Sequence, residues 1–332
     1  MHHPGVDCLN CSFPNLDTSK ELTLNDFITI VNRYKDWGGQ HLFLTGGGEP
    51  SEHHDFIDML LAAKRSGLSV DFNTWGIALT KLLSQSDEEL HQLFPTQNTS
   101  FISVSIHSFD EDVFKWIKGF NSRAIQLDLS ARIRTSFLIH RTTTPSDIDQ
   151  FLRLSQESGA RFACIKPAYE MGNERKFPIN LTAYEYSRKI QKTWNDGNMT
   201  LSFPRLDRLN APVSNTFPLC LAPLETMFFS PTSRGYMCCD MKGSDSMPII
   251  NGFPRTPLEY YFQTLMGIIK FPEYSRNCIQ GCNYHEQNIR IQQAFGETPV
   301  YQELQGLTNI PVDQHSKKLK KIFREFNVIE HN

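Results

Sequence analysis

The feature that most constrains this chain is the alternation of short apolar segments with amphipathic segments between residues 20 and 170. The apolar segments have the length of buried strands, and the segments between them repeat apolar residues at helical spacing. Alternation of this kind predicts parallel strands joined by right-handed helical crossovers, and therefore an α/β fold. The predicted strands cover residues 41–45, 69–73, 101–106, 132–139 and 161–166, and the predicted helices cover 22–37, 52–66, 76–93, 110–119, 147–158 and 182–195.

Polar residues follow several of the predicted strands, at the carboxyl ends where parallel α/β folds bind their ligands. The first strand runs into the patch Gly46-Gly47-Gly48-Glu49-Pro50. Three glycines allow the backbone to approach a ligand closely, and a carboxylate beside them can bind an amino group. The alternative is a plain strand-to-helix turn, in which glycine and an early glutamate are also common. Later strand ends carry Asn73, Ser105, His107 and Lys166.

The chain has eight cysteines and no secretory signal pattern, which favours metal or redox chemistry over a disulfide framework. Cys8 and Cys11 have metal-ligand spacing near the start of the chain. Cys164 lies between apolar residues, which predicts a buried core thiol. The other five cysteines lie in the last third of the chain and are Cys220, Cys238, Cys239, Cys278 and Cys282.

Charge and hydropathy exclude several classes of partner. The net charge of −3 offers no electrostatic case for a nucleic acid or membrane partner. No apolar run reaches the length of a membrane span, and we expect a cytoplasmic protein.

The regular alternation fades after about residue 170, which predicts a second kind of structure. Residues 203–218 are rich in proline, asparagine and serine and are typical of a linker, and residues 315–325 predict a basic amphipathic helix with a solvated face. We therefore predict three parts, which cover residues 1–200, 201–295 and 296–332.

Two motifs in the first part carry a family resemblance. The segment Pro4-Gly-Val-Asp-Cys8-Leu-Asn-Cys11-Ser-Phe-Pro14 resembles the cluster loop of the radical S-adenosylmethionine (radical SAM) enzymes, whose pattern is Cys-x3-Cys-x2-Cys. The segment Thr45-Gly-Gly-Gly-Glu-Pro50 resembles their motif that receives the methionine amino group. The resemblance implies a partial parallel (β/α) barrel of the TIM type over residues 1–200.

The cysteines of residues 201–295 resemble the twitch extension, the half-size relative of the SPASM domain. The resemblance is carried by Cys220-Leu-Ala-Pro, Gly235-Tyr-Met-Cys238-Cys239-Asp240 and Cys278-x3-Cys282. It implies a small cysteine-rich domain with an auxiliary iron-sulfur cluster. A structural zinc site is the rival interpretation, since four thiolates can also enclose zinc. Cys238 and Cys239 are adjacent, so their side chains point to opposite faces of a strand and we expect only one to be a ligand.

The resemblance also implies a reaction and its cofactors. A 4Fe–4S cluster binds S-adenosylmethionine through its open iron and cleaves it reductively to a 5′-deoxyadenosyl radical, which abstracts hydrogen from a peptide or small-molecule substrate. The implied outcome is peptide or protein modification, or dehydrogenation, with a second 4Fe–4S cluster in the extension. The implied electron donor is a protein such as flavodoxin or ferredoxin.

The resemblance assigns roles to the predicted site residues. Gly46, Gly47, Gly48 and Glu49 would hold the amino group of the cosubstrate, and Ser105 or His107 would reach its ribose. Arg134 would pair with its carboxylate. Asn73 and Lys166 would complete the binding site, with Lys166 near the adenine. The implied metal ligands are Cys8 and Cys11 for the first cluster and Cys220, Cys238, Cys239, Cys278 and Cys282 for the second.

The chain departs from the family pattern at position 4, where Pro4 stands in place of the first cluster cysteine. Three explanations are open. In the first, His2, His3 or Asp7 is a substitute ligand, and in the second, the cluster has been lost. In the third, the natural chain starts upstream, and we favour this explanation because the first barrel strand is also missing. If the cluster has been lost, the alternative function is a catalytically degenerate metalloprotein that acts as a binding module.

Overall fold

A computed structural model gives the fold of the chain and describes residues 20–45, 48–96, 100–168, 179–194, 197–203, 219–238, 248–271, 284–295 and 299–325. The described residues form two compact units, of which the first covers residues 22–203 and the second covers residues 20–21 and 219–325.

The first unit is built on one parallel sheet of six strands in the order β1-β2-β3-β4-β5-β6. Each strand pairs with the next strand in the chain, as in a partial β/α barrel, and the predicted α/β fold class is confirmed. Among the described residues, β1 and β6 are the edges of the sheet and no pairing joins them. The strands are β1 (His41–Leu44), β2 (Ser69–Thr74), β3 (Ser100–Ile106), β4 (Ala131–Ile139), β5 (Phe162–Pro167) and β6 (Thr200–Ser202).

Helices precede β1 and connect the strands. Two of them, α4 and α6, begin with capping boxes in which Ser86 pairs with Glu89 and Thr144 pairs with Asp147. The helices are α1 (Leu24–Asp36), α2 (Phe56–Arg65), α3 (Ile77–Leu83), α4 (Asp87–Leu93), α5 (Glu111–Gln126), α6 (Pro145–Glu157) and α7 (Leu181–Thr193).

The structure differs from the sequence prediction at three elements of the first unit. Residues 76–93, which were predicted as one helical segment, form the two helices α3 and α4, because Ser86 caps a new helix. Helix α5 continues to Gln126, beyond the predicted end at residue 119, because Phe120 and Ala124 are buried on its inner face. The Phe120 ring packs edge-on against Phe94 with 5.9 Å between the ring centroids. Strand β6 was not predicted, since its three residues Thr-Leu-Ser contain no apolar run.

Alternation along the strands gives the sheet a helix-facing side and an opposite side. On the helix-facing side, Phe72 of β2 packs edge-on against Phe56 of α2 at 5.4 Å between centroids. On the same side, Phe137 of β4 stacks on Phe151 of α6 at 5.1 Å. These aromatic contacts leave the intervening residues on the opposite side, where Asn73, Ser103 and Arg134 are register neighbours on adjacent strands.

A lysine is half-buried at the amino end of the sheet. Lys64 of α2 donates from Nζ to Ser100 Oγ at 2.6 Å. Burial lowers the pKa of Lys64 to about 8, and attraction to the Asp71 carboxylate offsets part of that effect. Asp71 also accepts the Phe101 backbone N–H at 2.7 Å. At about pH 8 half of the Lys64 side chains therefore carry the neutral, nucleophilic amine.

We expect Lys64 to become reactive toward acylating reagents at lower pH than exposed lysines do. Competitive labelling with acetic anhydride between about pH 6 and pH 11, followed by peptide mass spectrometry, should give a midpoint near pH 8 for Lys64. Lys115 is the matched control, because its hydrogen bond to Asp112 raises its pKa. The same pH profile for both lysines would contradict the prediction.

The second unit contains an antiparallel three-stranded sheet in the order β7-β8-β9. Gly235 of β8 lies so close to β9 that an added Cβ would be 2.9 Å from Ile250 Cβ. The described elements are β7 (Phe228–Phe229), β8 (Arg234–Tyr236), β9 (Ile250–Asn251), α8 (Pro257–Lys270), α9 (His285–Phe295), α10 (Pro299–Leu307) and α11 (Val312–Glu325).

Helix α11 confirms the basic amphipathic helix that the sequence predicts near the end of the chain. Leu319 and Ile322 are buried on one face. The exposed positions include Lys317, Lys318, Lys320 and Lys321. Across the part of the chain that the structure describes, no helix is long and apolar enough to cross a membrane.

Candidate active site

The predicted glycine patch follows β1, and its described part begins at Gly48. Gly48 has a φ of 149°, a backbone conformation that side-chain-bearing residues rarely adopt. Glu49 follows as the N-cap of a short 3₁₀ turn, Pro50–Glu52. Gly46 and Gly47 lie outside the described residues. The Glu49 side chain reaches the turn that follows the neighbouring strand β2.

The Glu49 carboxylate joins the turn after β1 to the turn after β2. Its Oε1 accepts hydrogen bonds from the Ser51 N–H at 3.2 Å and from Ser51 Oγ at 2.6 Å. Its Oε2 accepts the Trp75 N–H at 2.8 Å. A carboxylate has about four acceptor positions, so these three bonds fix its orientation and leave capacity for one further donor on Oε2. Glu49 is half-buried and can therefore present that oxygen to a ligand amino group.

The turn after β2 is itself closely held. Thr74 Oγ1 accepts the N–H groups of Gly76 and Ala78 at 2.9 and 3.3 Å. Gly76 has a φ of 123°, and an added Cβ would be 3.1 Å from Val113 Cγ1. This turn therefore supplies the Trp75 N–H from a rigid position.

Asn73 forms a second link between the ends of β1 and β2. Its Nδ2 donates to Thr45 Oγ1 at 3.0 Å. Both side chains lie on the side of the sheet that faces away from the helices. The predicted site residues Glu49 and Asn73 are thus both tied to the same pair of strand ends.

Arg134 occupies the same side of the sheet in the first half of β4. Its Nε and Nη2 donate to Ser103 Oγ at 2.9 and 2.6 Å, and its guanidinium carbon lies 6.0 Å from the Phe101 ring centroid. Arg134 is half-buried, whereas Ser103 is buried. Arginine has five N–H donors, so this arrangement leaves donors for an anionic ligand. No carboxylate within the described residues forms an ion pair with Arg134.

The other predicted site residues lie at the ends of β3 and β5. Ser105 is half-buried and pairs in register with Ser136 of β4. His107 directly follows β3 and is exposed. Lys166 of β5 is half-buried and pairs in register with Leu138. All three remain predictions as ligand contacts.

In the second unit, Cys220 is buried and lies against helix α9. Asn288 of α9 donates from Nδ2 to Cys220 Sγ at 3.4 Å. Cys238 follows β8 and is half-buried. Several predicted metal ligands lie outside the described residues, namely Cys8, Cys11, Cys239, Cys278 and Cys282. By contrast, Cys164 of β5 is 3% exposed, which confirms the predicted core thiol.

Four contributors to these sites were not predicted from the sequence: Ser51, Trp75, Ser103 and Asn288. Ser51 had a local signal, because Glu49 followed by Pro50 is typical of the start of a helical turn whose capping side chain accepts the next free N–H. The other three are brought in by pairing between distant segments and leave no local pattern.

The fold is a parallel α/β sheet, and the predicted site residues Glu49 and Asn73 lie at the carboxyl ends of its first two strands. Residues 5–154, a little under half of the chain, match the family model of the Radical SAM superfamily. A comparison with curated proteins found no match.

Crystal structures of Streptococcus suis SuiB are similar to this chain at 14% sequence identity. The structure bound to S-adenosylmethionine has a TM-score of 0.48 and covers 71% of this chain and 58% of that one. The structure bound to the precursor peptide SuiA has a TM-score of 0.49, and the match covers 72% of this chain and 58% of the SuiB chain. The chain thus spans less than two thirds of the length of these proteins. A likeness at this level carries no conclusion about activity.

A radical SAM domain implies an enzyme with a 4Fe–4S cluster and S-adenosylmethionine. The described side chains fit the cosubstrate. Glu49 offers an acceptor for its amino group, and Arg134 offers donors for its carboxylate. The thiols expected to hold the cluster are those of Cys8 and Cys11, outside the described residues.

We expect Ser51→Ala to weaken binding of S-adenosylmethionine by about two- to tenfold. The substitution removes the Oγ hydrogen bond to the Glu49 carboxylate. A hydrogen bond to a charged group contributes about 1.5–3 kcal/mol, and only part of that is lost from ligand binding because the Ser51 N–H still holds Glu49. Calorimetry on the anaerobically reconstituted protein would measure the change. Ser84→Ala is the matched control, because it deletes an exposed hydroxyl whose hydrogen bonds, among the residues that the structure describes, are to Lys81 O and Gln85. Equal affinity for the two variants would contradict a role for Ser51.

Proposed function

We propose that this chain is a radical SAM enzyme of the oxidoreductase or maturase type that abstracts hydrogen from a peptide or small-molecule substrate. The observation that carries the proposal is the match of residues 5–154 to the superfamily, together with a Glu49 carboxylate that is oriented at the end of β1. When bound, the cluster supplies one electron for cleavage of S-adenosylmethionine to methionine and a 5′-deoxyadenosyl radical.

The chain's own residues orient the cosubstrate in this proposal. Oε2 of Glu49 accepts from the amino group, while Ser51 and the Trp75 N–H prevent the carboxylate from turning away. The Arg134 guanidinium binds the carboxylate of the cosubstrate, and the Ser103 hydroxyl holds the guanidinium against the sheet. Ser105 or His107 contacts the ribose, and Lys166 lies near the adenine. Because these groups are fixed before the ligand binds, little orientational freedom is lost on binding.

The proposed role of residues 201–295 is to bind an auxiliary 4Fe–4S cluster through Cys220, one of Cys238 and Cys239, Cys278 and Cys282. The chemistry of Cys220 supports this role, since its sulfur accepts an amide N–H inside the second unit. The proposed partners are a peptide or small-molecule substrate and an electron donor such as flavodoxin or ferredoxin. Such clusters require a reducing compartment, and we propose a cytoplasmic location.

Metal content and cosubstrate cleavage test the proposal directly. Anaerobic reconstitution should give about eight irons per chain, as two four-iron clusters require. Dithionite should then release 5′-deoxyadenosine from S-adenosylmethionine. We expect Cys11→Ala to lose about four irons and the cleavage activity.

Cys164→Ala is the matched control for this experiment. Cys164 is a buried core thiol of β5, so its removal should leave both clusters and cleavage in place. About four irons in the unsubstituted chain, with no cleavage, would instead support the degenerate binding module. Zinc in place of iron in the second unit would refute the auxiliary cluster.

We expect Arg134→Gln to weaken binding of S-adenosylmethionine by about tenfold or more, because a hydrogen bond to a charged group contributes about 1.5–3 kcal/mol. Equilibrium binding by calorimetry would measure the loss. Arg132→Gln is the matched control, because Arg132 lies on the same strand and is exposed, and its Nη1 donates to Leu129 O and Ala131 O. Equal losses in both variants would contradict a direct contact by Arg134.

A further inference from the structure

Asn288 is a buried amide in helix α9 whose hydrogen bonds all point to one turn of the second unit. Only 2% of Asn288 is exposed. Its Oδ1 accepts the backbone N–H groups of Leu221 and Ala222 at 2.8 and 3.0 Å. Its Nδ2 donates to Cys220 Sγ at 3.4 Å. One side chain therefore holds the sulfur of Cys220 and the backbone of the next two residues.

The backbone contacts fix which end of the amide faces the sulfur. Two N–H donors require an oxygen opposite them, because a flipped amide would set its own N–H groups against those donors. The Nδ2 group must then face Cys220 Sγ. The sulfur is consequently an acceptor in this structure, and an N–H donor stabilises sulfur most when the sulfur carries negative charge.

Helix α9, which contacts Cys220, also follows two other predicted ligands in the chain, Cys278 and Cys282. Cys282 lies six residues before Asn288 in the chain, and α9 begins at His285. The same helix reaches the turn a second time, since Gln287 Nε2 donates to Thr226 Oγ1 at 3.1 Å. Residues that are more than 60 positions apart in the chain are thereby held together at Cys220.

We propose that Asn288 is a positioning residue for a metal ligand, Cys220, and that its N–H donor raises the reduction potential of the auxiliary cluster. This inference rests on the proposed function of residues 201–295. Hydrogen bonds to the sulfur ligands are among the features that set the potential of iron-sulfur clusters, and ligand-orienting partners are needed for metal affinity. The donor stabilises the reduced cluster, which carries the additional negative charge.

The informative substitution is Asn288→Asp. A carboxylate keeps an oxygen for the N–H groups of Leu221 and Ala222 but cannot donate to Cys220 Sγ. The matched control is Gln287→Glu, which introduces the same charge at the adjacent position of α9 and removes a donor that contacts Thr226 rather than sulfur. Both variants are made in the Cys11→Ala background, so that the first cluster does not contribute to the signal.

The readout is the midpoint potential of the remaining cluster, measured by a redox titration followed by electron paramagnetic resonance. We expect Asn288→Asp to lower the ratio of reduced to oxidised cluster at least tenfold at fixed potential, which is about 59 mV for a one-electron couple. Gln287→Glu should shift the midpoint potential clearly less than Asn288→Asp does. Equal shifts in the two variants, or none in Asn288→Asp, would overturn the inference.

The metal content separates this inference from the proposed function. If the second unit of the unsubstituted chain retains zinc instead of iron, the cluster proposal fails. The positioning role of Asn288 is then tested by measuring the affinity for zinc. A loss of tenfold or more in Asn288→Asp, without such a loss in Gln287→Glu, supports that role. Unchanged zinc affinity, or no metal in this unit at all, overturns it.

Discussion

The in-register pairing of parallel strands is the constraint on which the first unit depends. Register sets Asn73 beside Ser103 and Ser103 beside Arg134, so three polar side chains form one row across the sheet. A shift of one residue in a strand would turn its member of the row toward the helices. Such a shift would also expose aromatic residues that now pack against α2 and α6, including Phe72 and Phe137. Packing on the apolar side of the sheet therefore determines which polar groups are exposed on the opposite side.

Glu49 and Arg134 are both held in position by neutral groups. Glu49 is oriented by three donors from two different turns, and Arg134 is oriented by the hydroxyl of a buried serine on the next strand. Neither charge is neutralised by an opposite charge among these contacts. Neutral partners fix the position of a charge but do not cancel its electrostatic field, and the proposed binding of the zwitterionic amino acid moiety depends on this property.

The sequence was sufficient for five of the six strands of the parallel sheet and for the charged residues, but not for the groups that hold those residues in place. Five strands of the sheet follow from apolar runs, and Glu49 follows from its glycines. The Trp75 N–H and Ser103 are 26 and 31 residues from the groups they contact, and Asn288 is 68 residues from Cys220. Periodicity reports only neighbours within a few turns of helix or strand. The early predicted end of α5 has a related cause, because burial of Phe120 sustains the helix beyond Gly119.

Burial alone does not distinguish the core thiol Cys164 from Cys220, the proposed cluster ligand. Both are less than 10% exposed. Cys164 lies on β5 beside Ala163 and Ile165, and its thiol forms no hydrogen bond with the part of the chain described by the structure. Cys220 instead accepts an N–H from an amide whose orientation is fixed by two backbone donors. A buried amide needs partners for its polar atoms, and directing one of its donors at sulfur is favourable chiefly where that sulfur is charged. The hydrogen-bond partner, rather than the depth of burial, therefore carries the chemical distinction between the two cysteines.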